Sequence, residues 1–167
     1  MSIIQTSDFK GEYKVAQDCY SDLSGYIEKY EKKYLQMILG AELYLLFIAD
    51  LTVDTPQTPQ TQRFIDIFNE FQTTDNGCLV YSEGIKKMLI QFIYFHITRD
   101  IPNAKTSTGT VMMANENSIS NPYNGFGLVE TYNEAVANSR AIQWYVYDND
   151  DIYPEEQMQL IDFMSGI

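Results

Sequence analysis

The sequence predicts a mainly α protein: a small helical bundle with an extended, β-hairpin-like arm and a C-terminal tail. Three observations carry this. Residues 83–100 read as a helix that is apolar on almost every side, and a helix without a polar face is normally buried. That helix runs into Thr106-Ser107-Thr108-Gly109-Thr110-Val111-Met112-Met113, a polar, β-prone stretch suited to an arm. Helical spacing of apolar residues recurs in three other segments, with no internal repeat. A chain of 167 residues is long enough for one domain. The expected layout is a single domain over 1–167, with the bundle at about 24–100 and 128–148, the arm at about 104–120 and the tail at 149–167.

The elements follow in order. Ser24 is placed to cap a helix over 26–39, where Ile27, Tyr30, Tyr34, Leu35 and Ile38 share a face. Glu28 and Lys32 stand at the favourable i,i+4 spacing. Gly40 is expected to kink or end this helix, and 41–51 forms a second segment carrying Leu43, Tyr44, Phe47 and Ile48. Pro56 and Pro59 mark 52–60 as a loop. A short amphipathic helix over 61–71 presents Phe64, Ile65, Phe68 and Phe71, and 73–77 breaks it. Ser82 is a good N-cap for the apolar helix, and Pro102 ends that helix. The arm follows, with 115–120 as a tip or return strand. Residues 121–127 read as a loop. The last long helix spans about 128–148, with Leu128, Tyr132, Ala135, Val136, Ser139, Ile142 and Val146 as its stripe. The acids Asp148, Asp150 and Asp151 end it, next to the negative end of the helix dipole. Pro154 could begin a short final helix, at its first position.

Composition narrows the function classes. The net charge is −12, unevenly placed: residues 106–167 carry nine acids and a single base, Arg140. Such a surface repels phosphate backbones, so direct nucleic-acid binding by this third is not expected; a solvated surface, or a wall that DNA passes without sticking, is. Cys19 and Cys78 form no Cys-x-x-Cys pair and read as free, partly buried thiols. The N-terminus lacks the pattern of a signal peptide, and the apolar run 34–51 is too polar to span a membrane.

Catalytic motifs are missing. His96, the single histidine, lies inside the apolar helix and reads as a core or interface histidine with a hydrogen-bond partner. Gly125-Phe126-Gly127 lacks the rest of a phosphate loop. An EF-hand register begun at Asp148 places Tyr153 and Gln159 where Gly and Glu are needed. No catalytic, cofactor-binding or metal-binding residue is assigned, and no cofactor is expected.

Four blocks, in their order and spacing, resemble another group of proteins: residues 30–44 (Tyr-Glu-Lys-Lys-Tyr-Leu-Gln-Met-Ile-Leu-Gly-Ala-Glu-Leu-Tyr), 84–89 (Gly-Ile-Lys-Lys-Met-Leu), 106–111 with Asn115-Glu116-Asn117, and 132–136 leading to Ala141-Ile142-Gln143-Trp144-Tyr145. Together they resemble the head–tail connector, or neck adaptor, proteins of tailed bacteriophages of the crAss-like and Bacteroidetes phage type. The resemblance implies a non-enzymatic virion structural protein, made in the bacterial host cytoplasm. It implies a ring, twelvefold in expectation, that sits below the portal protein and extends the DNA channel. The next neck or tail ring protein would join it, and packaged DNA would pass without specific binding; no membrane partner is implied. The expected interface residues are Thr106, Thr108, Thr110, Val111, Met112 and Met113 on the arm, and Leu160, Ile161, Phe163 and Met164 on the tail. Competing readings are an acidic DNA-mimic inhibitor, another neck or tail-terminator ring protein, and an enzyme using carboxylates with a divalent metal.

Overall fold

The structure, a computed structural model, describes residues 2–15, 20–75, 77–100, 103–106, 109–112, 124–155 and 160–164. Its elements are α1 (Tyr20–Asp50), α2 (Gln62–Phe68), β1 (Phe71–Asp75), β2 (Cys78–Ser82), α3 (Gly84–Asp100), β3 (Asn103–Thr106), β4 (Gly109–Met112) and α4 (Asn124–Asp148). The fold is a helical bundle from which a β-hairpin continues, as the sequence predicts.

Helix α3 is the centre. Ile85, Met88, Leu89, Phe92, Ile93 and Ile97 are all buried, on every side of the helix. Its covers are α1, α2 and α4. Burying a side chain of this size contributes about 2 kcal/mol, so the central helix is held by packing rather than by its own propensity. Against α1, the Tyr34 ring stacks on Phe92 with centroids 3.8 Å apart, and Tyr30 stacks on His96 at 3.7 Å. Tyr132 of α4 meets Phe92 and Phe95 from another side. Helix α1 therefore runs antiparallel to α3, with Tyr30 near the C-terminal end of α3.

Gly40 does kink α1, with φ 72° and ψ 176°, a conformation open essentially to glycine. The helix starts earlier than its sequence pattern, at Tyr20, so Ser24 lies inside it and is no cap; Leu23, fully buried, draws the extra turn onto the core. Glu28 and Lys32 make no ion pair within 4 Å: both are exposed, where water competes with such a pair.

Helix α2 is shorter than expected. It ends at Phe68, and residues 71–82 form an antiparallel hairpin that pairs Phe71 with Ser82 and Asp75 with Cys78. Alternating Thr73, Thr74 and then Leu79, Val80, Tyr81 around Gly77 carry that strand signal, which the helical reading of 61–71 hid. Phe64, Ile67 and Phe68 are buried, whereas Ile65 is half-buried. Cys78 is free and exposed on β2, not partly buried; Cys19 lies outside the described residues.

Ser82 is not the N-cap of α3: it ends β2, two residues before the helix, and its Oγ accepts from the N–H of Gly84, whose φ of +81° is not yet helical, at 3.1 Å. Helix α4 begins at Asn124, so 124–127 are helical rather than loop. Gly127 needs no positive φ there, and first-turn N–H groups have no intrahelical acceptor in any case. All of its predicted stripe from Ala135 to Val146 is buried. At its end Asn149 Nδ2 donates to Tyr145 O at 2.7 Å, and Asn149 O accepts from Ile152 N and Tyr153 N.

The N-terminal segment, for which the sequence offered no element, packs on the core through Ile3, Ile4, Phe9, Tyr13 and Val15. Glu31 anchors it, accepting from Ser2 Oγ at 2.6 Å, Ile3 N at 3.2 Å and Ile4 N at 3.0 Å. The tail also docks. No helix starts at Pro154 among the described residues. Instead Tyr153 is 0% exposed, with its hydroxyl donating to Arg63 O, and Glu155 pairs with Arg63 at 3.4 Å. Ile161 is buried against the bundle.

Two outcomes follow from this packing. A Cβ at Gly84, where φ is +81°, would lie far inside contact distance of the Phe68 and Asn69 carbonyl oxygens. Gly84→Ala is expected to lose about 3 kcal/mol of stability in urea unfolding, because backbone on both sides must move. Truncation after Asn149 removes Tyr153 and Ile161 and opens the core, so the bundle is expected to lose about 4 kcal/mol. Unchanged unfolding of that truncated chain would show that the tail does not belong to the core.

Candidate functional site

The residues expected at an interface fall on two separate elements. Thr106 ends β3, and Thr110, Val111 and Met112 lie in β4. The strands are antiparallel, pairing Asn103 with Met112 and Thr106 with Gly109. Thr108 and Met113 lie outside the described residues, as does the expected tip at 115–120. A two-stranded hairpin carries unpaired N–H and C=O groups along both outer edges, which is the template for adding another strand.

The tail residues lie against α4. Asn133 clamps Met164 through two hydrogen bonds, Met164 N to Oδ1 at 2.8 Å and Nδ2 to Met164 O at 3.0 Å. Arg140 donates to Ile161 O at 3.3 Å and lays its guanidinium 4.2 Å over the Phe163 ring. Ile161 faces its own core, while Leu160, at 73% exposure, Phe163 and Met164 face outward. Further outward apolar residues escaped the sequence pattern, Leu45, Leu46 and Val53, and Ile48, which that pattern groups with Leu43 and Phe47, also faces outward at 39% exposure. Leu45 and Val53 are 66% and 79% exposed. They were hidden because Leu43 and Phe47, one turn apart, satisfy the helical period and absorb the apolar signal.

A buried polar cluster joins the β2–α3 corner to α4. Asn138 Oδ1 accepts from Glu83 N at 3.0 Å, and its Nδ2 donates to Gln91 Oε1 at 2.9 Å. Gln91 Nε2 in turn donates to Tyr13 OH, Glu83 and Glu134. Every member is partnered, as buried polar groups must be. Beside it, Glu12, Glu130 and Glu134 line an open cleft of about 460 Å³. Burial first, then the charges of Glu130, Glu12 and Glu83, raise the Glu134 carboxyl above its ordinary range. No three His, Cys, Asp or Glu side chains converge to hold a metal among the described residues. No helix there is long and apolar enough to cross a membrane.

His96 has the core role its position predicts. Its Nε2 shares a 2.7 Å hydrogen bond with the Tyr34 hydroxyl. Burial first, then Arg99 and Lys33, lower its pKa to about 4. Burial also raises Tyr34, so the phenol stays protonated at neutral pH. The imidazole is thus neutral, buried and engaged. It is not poised beside a nucleophile.

That lowered pKa has a sign. The unfolded chain binds the His96 proton at about 6.5 and the folded chain only near 4, so this contribution to stability is complete above pH 6.5 and is lost as pH falls toward 4. The loss is expected to be about 2 kcal/mol, reduced from the full shift by solvent around Lys33 and Lys29. Urea unfolding of wild type and His96→Phe between those pH values checks it: the variant should lack this part of the slope, and parallel curves would refute the assignment.

Neither family models, curated proteins nor solved structures gave a match to this chain.

Proposed function

We propose that this chain is a non-enzymatic structural protein of a tailed-phage virion, forming a ring in the neck below the portal. In that place it extends the DNA channel and joins head to tail. The observation that carries the reading is a buried-helix bundle from which a hairpin continues and on which apolar residues remain uncovered. Bundle, hairpin and uncovered apolar surface are the parts a subunit needs to close a ring and grip a neighbour. Three of the sequence blocks of the resemblance fall on these parts, one straddling the α1 kink, one opening α3 and one on α4; of the remaining block, Thr106 and residues 109–111 lie on the hairpin, and the rest lies outside the described residues.

The β3–β4 hairpin is the neighbour-binding arm in this reading, adding a strand to an adjacent subunit or ring. Leu160, Phe163 and Met164 form a second, smaller contact with the portal side; Ile161, already buried, is not part of it. The acid excess of residues 106–167 keeps passing DNA from sticking.

The test is direct. Purified virions should contain the chain at a copy number matching the portal, and mixing with portal should yield rings by native mass spectrometry. Deleting residues 107–119 should leave the bundle folded by circular dichroism while abolishing incorporation into virions. Stable virions containing the shortened chain would show the arm to be dispensable, and persistent monomers with portal present would remove the ring.

A further inference from the structure

In a chain of net charge −12, Lys29, Lys32 and Lys33 stand together on the exposed face of α1. With Gln36 and Met37 they line a shallow cleft of about 360 Å³. Arg63, Lys86, Lys87 and Arg99 each pair with a carboxylate, and Arg140 is engaged by the tail. The three α1 lysines pair with none within 4 Å among the described residues. Lys29 and Lys33 rest instead over neighbouring tyrosines, Lys29 Nζ 4.9 Å from the Tyr30 ring centre and Lys33 Nζ 5.3 Å from that of Tyr34.

The complementary surface is also on this chain. The turn after α4 presents Asp148, Asp150 and Asp151, all exposed, around the outward apolar side chains of Tyr147 and Ile152. None of these acids is in an ion pair within 4 Å among the described residues.

The two surfaces lie at opposite ends of the bundle. Tyr30, between the lysines, stacks on His96 near the C-terminal end of α3. The acidic turn leads into Tyr153, which docks on α2 at Arg63, and the last residues of α2 abut Gly84 at the N-terminal end of α3. One molecule cannot bring its own turn onto its own lysines. A second copy can, and the next copy onto that.

We propose that the Lys29–Lys32–Lys33 face receives the 147–152 turn of a second copy of this chain, in a head-to-tail contact. The charges set orientation and Tyr147 and Ile152 supply the apolar centre, the usual division of labour at an interface. A contact between two different patches of identical subunits generates rings or open chains. The inference rests on the reading of the chain as a self-assembling subunit and names its interface.

Charge reversal tests it, because every substituted residue is exposed. One variant carries Lys29→Glu, Lys32→Glu and Lys33→Glu; a second carries Asp148→Lys, Asp150→Lys and Asp151→Lys; a third carries all six. Thermal unfolding confirms that each is folded, and sedimentation equilibrium measures self-association at equal ionic strength. The first two should each associate about tenfold or more weakly than wild type. Reversal of the acids lowers the net charge to −6, so general repulsion alone would instead strengthen its association. The six-fold variant, and an equimolar mixture of the first two, should regain wild-type association, since every contact is again between opposite charges.

Wild type that stays monomeric at the highest attainable concentration overturns the proposal. So do reversed variants that associate like wild type, or a lysine face whose measurable role is binding a duplex DNA fragment, lost in the first variant. Open chains sensitive to both reversals would keep this contact and remove the closed ring; closed rings indifferent to them would keep the ring and remove this contact.

Discussion

The burial of α3 on all sides is the constraint on which the rest depends. A helix with no solvent face needs a cover in every direction, and a chain of this size has few elements to provide it. Helix α1 supplies one through the Tyr30 and Tyr34 rings, α4 another through Tyr132 and the stripe from Ala135 to Val146, and α2 closes the beginning. The approach of α2 is so close that the first residue of α3 must be glycine. Several polar groups caught in this interior have found a partner, His96 Nε2 with Tyr34 and Gln91 with Asn138 and Tyr13, while His96 Nδ1 is buried without one among the described residues.

The same constraint explains where apolar residues are left over. With α3 enclosed by one side of each neighbour, the outer face of the second half of α1 has nothing left to cover, yet it carries Leu45, Leu46 and Ile48. The tail divides in the same way, Ile161 inward and Leu160 outward. In the proposed ring, these uncovered apolar side chains are the places where neighbours would pack.

Charge is arranged on the same plan. Most of the basic side chains that touch the core rim are neutralised locally by acids from another element, as Lys86 by Asp8 and Lys87 by Glu12. These pairs fasten the N-terminal segment to α3 while adding little to stability individually. Two groups of exposed charges stay outside such pairs among the described residues, at separate places on the bundle: Lys29, Lys32 and Lys33 on α1 and Asp148, Asp150 and Asp151 at and after the end of α4.

The sequence alone determined the helical class, the apolar centre at 83–100, the kink at Gly40 and the stripe of the last helix. These depend on periodicity and on single residues whose backbone preference is local. It also marked 106–112 as extended, from its β-branched residues. Tertiary structure decided the rest. The 71–82 hairpin lay beneath a plausible helical pattern, since Phe71 stands three residues after Phe68 and continues the helical spacing. The start of α1 was set by the pocket that holds Leu23, not by Ser24. Glu31 became an anchor because the N-terminal segment folds back 27 to 29 residues to reach it. The lysine face and the acidic turn are each visible as letters, but that they stand at opposite ends, beyond each other's reach, is a property of the antiparallel packing of α1 on α3. Local sequence encodes which backbone a segment prefers; which surface stays open is decided by what packs across from it.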